Sequence, residues 1–334
     1  MPAMKTPESD LIRRIRAATS SIRRDSGIRL GIGDDAALLV PRHGHETILT
    51  CDWFLEGTHF LRDRHPADSV GWKSLTRAVS DIAAMGGEPR CFLLSLAIPE
   101  THTGRWLDEF LRGLRRAARK FKCPLAGGDT TRRREILINV TVVGEVQKGR
   151  ASLRSGALPG DIIYVSGHLG EAELGLHRLR SKHRIRRGDP ALKKHLYPEP
   201  RLRLGRWLGD HRIATAMMDL SDGLSSDLPR LCAASAVGAS LDASRIPAVR
   251  ISDRSGLKKI DPVNLALNGG DDYELLFTVH PAKAGRLPRT FQGIPLTPIG
   301  AITRGRKLTL VQQDQREQTL PLGGWDPFRH SKRN

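Results

Sequence analysis

The sequence predicts a mixed α/β (α+β) protein of two domains. Segments typical of strands and of amphipathic helices alternate along the chain, which favours packed layers of both elements. The length of 334 residues is enough for roughly two domains of ~100–200 residues. A turn-rich break, Arg154 to Asp161, separates two such alternating regions. We therefore place the boundary near Gly149, with domains at residues 1–149 and 150–334.

The first domain is predicted to begin its regular structure with a strand, a helix and a second strand. Glu46 to Cys51 is a short run rich in β-favouring residues. Ser69 to Met85 carries apolar residues at helical spacing and ends at two consecutive glycines, which favours a helix that stops there. Cys91 to Ile98 is continuously apolar and bounded by polar residues, so we expect a buried strand.

A second helix and a long strand follow in the same domain. Arg105 to Lys122 places leucines and phenylalanines on one helical face and arginines on the other, the pattern of an amphipathic helix. Ile136 to Val146 is a long β-rich run. In the second domain we expect strands and helices at these segments: Ile162 to Val165 (strand), Pro200 to Leu208 (helix), a strand into Met218, Leu224 to Ala234 (helix) and Tyr273 to Val279 (strand).

The chain is strongly basic. It has 54 Lys+Arg against 36 Asp+Glu, a formal net charge of +18. Such a charge can indicate a nucleic-acid surface or binding of small polyanions. The densest basic run, His177 to His195, contains no aromatic residues on which bases could stack. We predict that it is a solvated face and dispensable for catalysis, with an anion-binding role as the alternative.

Cysteine use and hydropathy indicate a cytoplasmic protein. The four cysteines are scattered and form no CxxC pair, which is typical of free thiols in a reducing compartment. The first residues contain no apolar segment of the kind that a secretory signal needs. No uncharged apolar run approaches the ~18–20 residues of a membrane span.

The residues that indicate chemistry are acidic. Aspartates gather in five short stretches that we expect to be turns at strand edges: GIGDDA (31–36), TCD (50–52), AGGDTT (126–131), DLSDG (219–223) and NGGDD (268–272). Asp81, in the predicted helix, adds a sixth position. Glycine lets the backbone approach a phosphate closely, and carboxylates are ligands that Mg²⁺ prefers.

Each stretch alone has an ordinary explanation. An aspartate beside glycine is usually a turn former, and Asp81 can pair with Arg77 on the helix surface. Six carboxylates gathered in one site would repel one another without cations between them, so the set together favours a metal and phosphate site.

The chain lacks a P-loop, the protein-kinase HRD and DFG motifs and a GxSxG element, and the lone GxG at residues 31–33 is a poor dinucleotide fingerprint.

Eight stretches occur in the order typical of one family: GIGDDAALL, DWFLEGTHF, SDIAAMGGEP, AGGDTTR, RSGALPGD, DLSDGLSSDL, NGGDDYELLF and GGWDPF. On these motifs the chain resembles the thiamine-monophosphate kinases, of the aminoimidazole-ribonucleotide-synthetase-like superfamily. The resemblance implies ATP-dependent phosphorylation of thiamine monophosphate to thiamine diphosphate with several Mg²⁺ ions. Because no activated nucleophile is visible, we expect direct in-line transfer without a phosphoenzyme, and we assign no residue as catalytic acid, base or nucleophile.

The resemblance also implies roles for individual residues. The metal ligands would be Asp35, Thr50, Cys51 (through its backbone), Asp52, Asp81, Asp129, Asp219 and Asp222. The ATP contacts would be Gly128, Asp129, Arg154 and Ser221. The thiamine-phosphate contacts would be His59, Asp271 and Trp325. From the residues alone, a helix-end contact for His59, a buried anchor for Trp325 and a linker salt bridge for Arg154 remain alternatives.

The family fold implies a homodimer. Its N-terminal domain binds ATP and metal and pairs across the dimer to form a barrel, and its C-terminal α/β domain completes the active-site cleft. Two positions depart from the family pattern: Ala78 stands where an asparagine is usual, and Asp271 where a glutamate is usual. Either the backbone has moved inward to compensate for the shorter Asp271, so that Asp271→Glu would raise KM, or the substrate is held through water, so that Asp271→Glu would lower KM; we favour the second.

Two rival functions stay open on the sequence. One is another ATP-dependent enzyme of the same superfamily, which an assay of ADP formation across acceptors would distinguish. The other is a basic nucleic-acid-binding protein on a relic kinase fold, which steeply salt-dependent binding unaffected by ATP and Mg²⁺ would support. We expect no membrane association and no specific nucleic-acid binding.

Overall fold

The computed structural model describes residues 7–19, 27–181, 188–251 and 260–328. The chain divides into two compact units: unit 1 comprises Met1–Ala83 and Gly87–Ala151, and unit 2 comprises Ala84–Gly86 and Ser152–Asn334. None of the helices in these described residues is both long enough and apolar enough to cross a membrane.

Unit 1 is built on a four-stranded sheet with the order β3-β6-β4-β5. Its helices are α1 (Glu8–Thr19), α2 (Ala67–Ala84) and α3 (Arg105–Phe121), and its strands are β1 (Ile28–Leu30), β2 (Leu38–Leu39), β3 (His45–Leu55), β4 (Glu88–Ile98), β5 (Leu125–Arg132) and β6 (Leu137–Gln147). Strand β6 pairs antiparallel with β3 and β4, whereas β5 runs parallel to β4. Within the described residues this sheet is open and forms no closed barrel.

One face of this sheet is buried and the other is open. Alternate residues of β4, such as Phe92, Leu94 and Leu96, are buried, as are the apolar residues of α2 and α3. The opposite face presents large apolar side chains: Leu49 is 70% exposed and Trp53 is 54% exposed. Side chains alternate between the two faces of a strand, so this exposed row follows directly from the register of β3.

Unit 2 contains a larger sheet with the order β14-β13-β9-β12-β7-β10-β8. Its helices are α4 (Glu171–Arg180), α5 (Pro190–Leu196), α6 (Leu202–Asp210), α7 (Leu224–Ser235), α8 (Pro262–Asn268) and α9 (Pro281–Ala284). Its strands are β7 (Ile162–Ser166), β8 (Ala214–Leu220), β9 (Gly238–Asp242), β10 (Glu274–Val279), β11 (Thr290–Phe291), β12 (Ile294–Thr303), β13 (Leu308–Val311) and β14 (Glu317–Thr319).

Both faces of the unit 2 sheet are covered. Leu276 of β10 belongs to a core that includes Leu228 and Leu231 of α7. Its strand neighbours Leu275 and Phe277 belong to a second core with Leu204 and Leu208 of α6. This sandwich of helices around a sheet confirms the predicted α/β architecture.

The structure corrects two of the predicted turns. Residues 50–52 lie in the middle of β3, and residues 126–131 lie in β5. Glycine and aspartate are uncommon in strands, which is why both stretches were predicted as turns. Gly128 is tolerated there because its backbone lies against the carbonyl of Leu94 on β4, where any side chain would collide.

Candidate functional site

In unit 2 the candidate residues surround one turn. Strand β8 ends at Leu220, just after the buried Asp219, and helix α7 begins at Leu224. The intervening residues are Ser221, Asp222 and Gly223, and the left-handed φ of 104° at Gly223 favours glycine. We call residues 219–223 the acidic turn. This location confirms the turn predicted from the sequence.

A buried carboxylate, Asp227, holds the backbone of the acidic turn. Its Oδ2 accepts N–H bonds from Ser221, Asp222 and Gly223 at 3.1, 3.1 and 3.2 Å. The guanidinium of Arg230 donates to Asp222 at 2.6 Å and to Asp227 at 2.9 Å. The pKa of Asp227 is raised to about 7, because burial and then the charge of Asp222 raise it more than the backbone bonds and Arg230 lower it.

The Asp271 segment is hydrogen-bonded to the same turn. The N–H of Asp271 donates to Ser221 O at 2.8 Å, and that of Tyr273 donates to Leu220 O at 2.9 Å. Both residues have left-handed φ angles, +67° and +50°, which non-glycine residues adopt only at a cost. The buried Tyr273 hydroxyl donates to Asp271 Oδ1 at 2.6 Å and so orients that carboxylate.

Trp325 reaches the acidic turn from the C-terminal segment. Its backbone N–H donates to the backbone carbonyl of Asp222 at 2.9 Å. The preceding Gly324 has φ +79° and lies so close to the Asp222 carbonyl that a side chain there would collide. Trp325 is 44% exposed, so the alternative of a buried anchor is wrong. Unit 2 thus brings together Ser221, Asp222, Asp271 and Trp325.

Two further carboxylates hold the segment that follows Asp271. Asp272 accepts N–H bonds from Gly170 at 2.6 Å and from Ala172 at 3.0 Å, and burial raises its pKa to about 7 despite those bonds and the charge of Lys194. Burial by itself would raise the pKa of Glu274, but the charges of Lys194 and Arg201 lower it to about 2. Lys194 Nζ lies 2.5 Å and Arg201 Nε 2.6 Å from Glu274.

Lys194 belongs to the basic run that was predicted to be a solvated face. That prediction is wrong for part of the run. Lys194 is largely buried in its ion pair, His195 is buried on α5, and Arg178 pairs with Asp189, which caps α5. Residues 182–187 of the run lie outside the described residues. So do residues 329–334, RHSKRN, which the sequence predicts to be a loose basic tail.

In unit 1 two of the candidate ligands on β3, Thr50 and Asp52, face helix α2. Thr50 donates a hydrogen bond to Asp81 of α2. Asp52, two residues further along the same strand face, lies 3.8 Å from the guanidinium of Arg77. Arg77, the partner expected for Asp81, thus lies within ion-pair distance of Asp52, and Asp81 accepts the Thr50 hydroxyl. Ala78, the departure on α2, is fully buried.

The other unit 1 candidates lie elsewhere on the sheet. Asp129 is exposed on β5, which is three strands away from β3 and so roughly 14 Å across a flat sheet at ~4.8 Å per strand. Asp35 is exposed in the loop between β1 and β2, and Cys51 is exposed on the open sheet face. This separation explains why no group of three or more His, Cys, Asp or Glu within the described residues has the arrangement of a metal site.

Two candidates have unremarkable surroundings. His59 lies in the turn after β3, where its Nδ1 accepts the N–H of Leu55 at 3.0 Å. Arg154 is exposed in unit 2, and its carbonyl accepts a bond from the Ser235 hydroxyl at 3.0 Å. No ion pair connects Arg154 to any of the described residues, so the structure gives no support to a linker salt bridge.

Comparison with known proteins identifies the family. Residues 33–146 match the AIR synthase related protein N-terminal domain, and residues 159–313 match the C-terminal domain of the same family. The thiamine-monophosphate kinase of Escherichia coli (strain K12) is 37% identical over 333 residues, which cover 97% of this chain and 99% of that protein. This chain belongs to the thiamine-monophosphate kinase family. The Bacillus subtilis (strain 168) member is 34% identical over 332 residues, 96% of this chain and 99% of that protein.

Solved structures of thiamine-monophosphate kinases have the same fold. The enzyme from Stenotrophomonas maltophilia K279a gives a TM-score of 0.78 at 38% identity, covering 90% of this chain and 95% of that one. AaThiL complexed with AMPPCP and TMP gives a TM-score of 0.75 at 31% identity, covering 98% and 99% of the two chains.

Sequence reasoning assigned no role to Asp227, Arg230 or Tyr273. Asp227 stands inside the motif DLSDGLSSDL and Tyr273 inside NGGDDYELLF, so both lay within quoted stretches. The sequence does contain a signal for Asp227: it is a carboxylate in the first turn of a predicted helix that follows an acidic turn. A side chain at such a position can accept hydrogen bonds from the backbone N–H groups that precede the helix.

Proposed function

We propose that this chain transfers the γ-phosphoryl group of ATP to thiamine monophosphate. An oxygen of the substrate phosphate forms the new bond to the γ-phosphorus as the bond to the β-phosphate oxygen breaks, which gives ADP and thiamine diphosphate. The observation that carries the proposal is the near full-length similarity to thiamine-monophosphate kinases, including one complexed with AMPPCP and TMP. The hydrogen bonds that join Asp271 and Trp325 to the acidic turn support the proposal, because they bring together candidate residues for both substrates.

The proposed enzyme uses Mg²⁺. The chemistry of the donor set fits, because carboxylate, hydroxyl and carbonyl oxygens are the ligands that Mg²⁺ prefers. The residues that would hold the ions are Asp35, Thr50, Cys51, Asp52, Asp81, Asp129, Asp219 and Asp222. Bound Mg²⁺ would neutralise phosphate oxygens that these carboxylates would otherwise repel.

The remaining candidates would bind and orient the two substrates. Ser221 and Arg154, together with Gly128 and Asp129, would contact ATP, and a guanidinium such as Arg154 suits a phosphate. Trp325, a partly exposed aromatic residue, would stack on the cationic thiazolium ring. Asp271 would contact the same ring system through the carboxylate that Tyr273 orients, and His59 would complete the thiamine-phosphate contacts.

We further propose that the chain acts as a cytoplasmic homodimer. The apolar row of Leu49 and Trp53 on the open sheet face of unit 1 is the expected site of pairing, because large exposed apolar residues on a sheet face favour burial against a partner. All four cysteines are free, which is consistent with a reducing compartment.

The reaction is tested by ³¹P NMR of the purified chain with ATP, Mg²⁺ and thiamine monophosphate. Resonances of a new diphosphate ester and of ADP should grow as those of ATP decline. ADP formed only with another acceptor would indicate a sister enzyme of the superfamily. Incubation with γ-labelled ATP alone should leave no acid-stable label on the protein, since the transfer is direct.

A further inference from the structure

Asp227 has a hydrogen-bonding arrangement that the assigned roles leave unexplained. Its side chain is fully buried, and a single oxygen accepts three consecutive backbone N–H groups, those of residues 221, 222 and 223. Three donors on one carboxylate oxygen form a concave cradle of amides around the anion. The three bonds fix the direction of three successive peptide groups of the acidic turn.

The carbonyl side of the same peptides holds the two other segments. Ser221 O accepts the N–H of Asp271 at 2.8 Å, and Asp222 O accepts the N–H of Trp325 at 2.9 Å. A peptide group is planar, so fixing its N–H also fixes the plane of the neighbouring carbonyl. The orientation set by Asp227 is therefore transmitted to the backbones of Asp271 and Trp325.

We propose that Asp227 is a positioning residue that holds Ser221 and Asp222 in register with Asp271 and Trp325. It acts through the turn and touches neither substrate. Its consequence for phosphoryl transfer rests on the proposed function, whereas its control of Trp325 does not. Buried hydrogen-bonded carboxylates of this kind are costly to disturb, because removing the acceptor leaves several donors without a partner.

A matched control separates positioning from plain stability. Asp161 is equally buried in unit 2 and likewise accepts a backbone N–H, from Leu158 at 2.9 Å, and the hydroxyl of Thr215 at 2.6 Å. It does not bond to the acidic turn. Asp227→Asn replaces the anion by a weaker neutral acceptor and turns an NH₂ group toward Arg230, and Asp161→Asn makes the same chemical change elsewhere.

The experiment is ¹⁹F NMR of the full chain labelled with 5-fluorotryptophan. The chain has five tryptophans, and Trp325→Phe assigns the resonance of Trp325. In Asp227→Asn we expect the Trp325 resonance to shift while the other four stay in place, and kcat to fall at least thirtyfold. In Asp161→Asn we expect the Trp325 resonance to be unchanged and kcat to fall less than threefold.

Two results would overturn the proposal. The first is an Asp227→Asn chain whose Trp325 resonance and kcat are those of the wild type. The second is an Asp161→Asn chain in which the Trp325 resonance and kcat change as much as they do in Asp227→Asn. If Asp227→Asn does not fold, hydrogen exchange of the wild-type amides 221–223 decides: protection supports the cradle, and rapid exchange rejects it. A shifted Trp325 resonance in a chain whose wild type makes no thiamine diphosphate would reject the proposed function alone.

Discussion

The candidate carboxylates of the two units are held in different ways. In unit 2, the acidic turn is fixed by backbone amides that converge on Asp227, and Asp271 and Trp325 are hydrogen-bonded to it. In unit 1, Asp52 and Asp129 lie on strands at opposite edges of a sheet, and Asp35 is exposed in a loop. Unit 2 therefore presents a preorganised cluster, whereas the unit 1 candidates are dispersed over the sheet.

The two sheets also differ in how completely their faces are covered. Helices cover both faces of the unit 2 sheet, but the unit 1 sheet leaves Leu49 and Trp53 exposed on one face. A sheet face with large apolar side chains is stabilised by burial. Unit 2 therefore orders its candidate residues through hydrogen bonds of its own, whereas the exposed apolar row of unit 1 is the face at which the homodimer proposed above would pair.

The largest effect should come from removing one candidate carboxylate charge in either unit. Asp52→Asn and Asp222→Asn should each reduce kcat about a thousandfold, roughly 4 kcal/mol, because each would lose a ligand of a metal that the reaction needs. The melting temperature without Mg²⁺ should stay the same or rise, since functional carboxylates are often held at a cost in stability. Steady-state kinetics and calorimetry measure both quantities.

The control for this pair is Asp210→Asn, which alters an exposed carboxylate paired with Arg206 on α6. It should leave kcat unchanged. Near-wild-type turnover in both site variants would contradict the metal assignment. Loss of turnover in Asp222→Asn but not in Asp52→Asn would instead indicate that only the candidate carboxylates of unit 2 are functional.

The second prediction tests the open sheet face. Leu49→Asp places a charge in the apolar row of unit 1 and should raise the dimer dissociation constant at least a hundredfold, because a charge buried at an interface without a partner is costly. Leu158→Asp, at a similarly exposed leucine of unit 2, should leave association unchanged. Sedimentation velocity distinguishes the two, and a wild-type chain that is monomeric at all concentrations would reject the pairing.

The sequence predicts the apolar framework well and the polar detail less well. Strands β4 and β6 and helix α3 were predictable because their apolar periodicity is long and regular. The strand positions of Asp52 and Asp129 were missed because local composition favours turns there, and pairing with β6 and β4 overrides that preference.

Long-range ion pairs were beyond the reach of local patterns. Lys194 looks like one more cation of a solvated run, but its partner Glu274 is 80 residues further along the chain. The role of Asp227 depends on how α7 turns back onto the preceding amides, which a motif match does not specify. The acidic turn itself was predicted correctly because glycine and aspartate are typical of such turns.

The third prediction tests the support of the Asp271 segment. Lys194→Gln removes one of the two cations beside the buried Glu274 and should destabilise the chain by about 2 kcal/mol, less than complete loss of a buried pair because Arg201 remains. Lys193→Gln, one residue earlier and exposed, should have no measurable effect. Urea denaturation gives both values, and equal stabilities would mean that the ion pair of Lys194 with Glu274 contributes nothing measurable.

The fourth prediction concerns pH. The folded pKa of Asp272, about 7, lies above the ordinary value of 3.8, so its contribution is fully present below pH 3.8 and is lost as pH rises toward 7. Relative to Asp272→Asn, which cannot ionise, the wild type should lose roughly 2 kcal/mol of stability between pH 5 and pH 7. Urea denaturation of both chains at the two pH values measures this difference. A constant difference would show that Asp272 is ionised throughout, held by the amides of Gly170 and Ala172.

The smallest effect is expected at Asp271, and here the structure reverses the direction favoured by the sequence. The Asp271 carboxylate accepts the Tyr273 hydroxyl at 2.6 Å, and its backbone is left-handed, a conformation that aspartate tolerates better than glutamate. In Asp271→Glu the longer side chain loses that hydroxyl and adds backbone strain. We expect KM for thiamine monophosphate to rise about threefold with little change in kcat, as for an interaction of equal strength in the ground and transition states.

Tyr273→Phe should raise KM similarly, because it frees the same carboxylate. Steady-state kinetics at saturating ATP and Mg²⁺ measures both variants. A fall in KM for Asp271→Glu would instead support a substrate held through water, and unchanged constants in both variants would place residue 271 outside the substrate contacts.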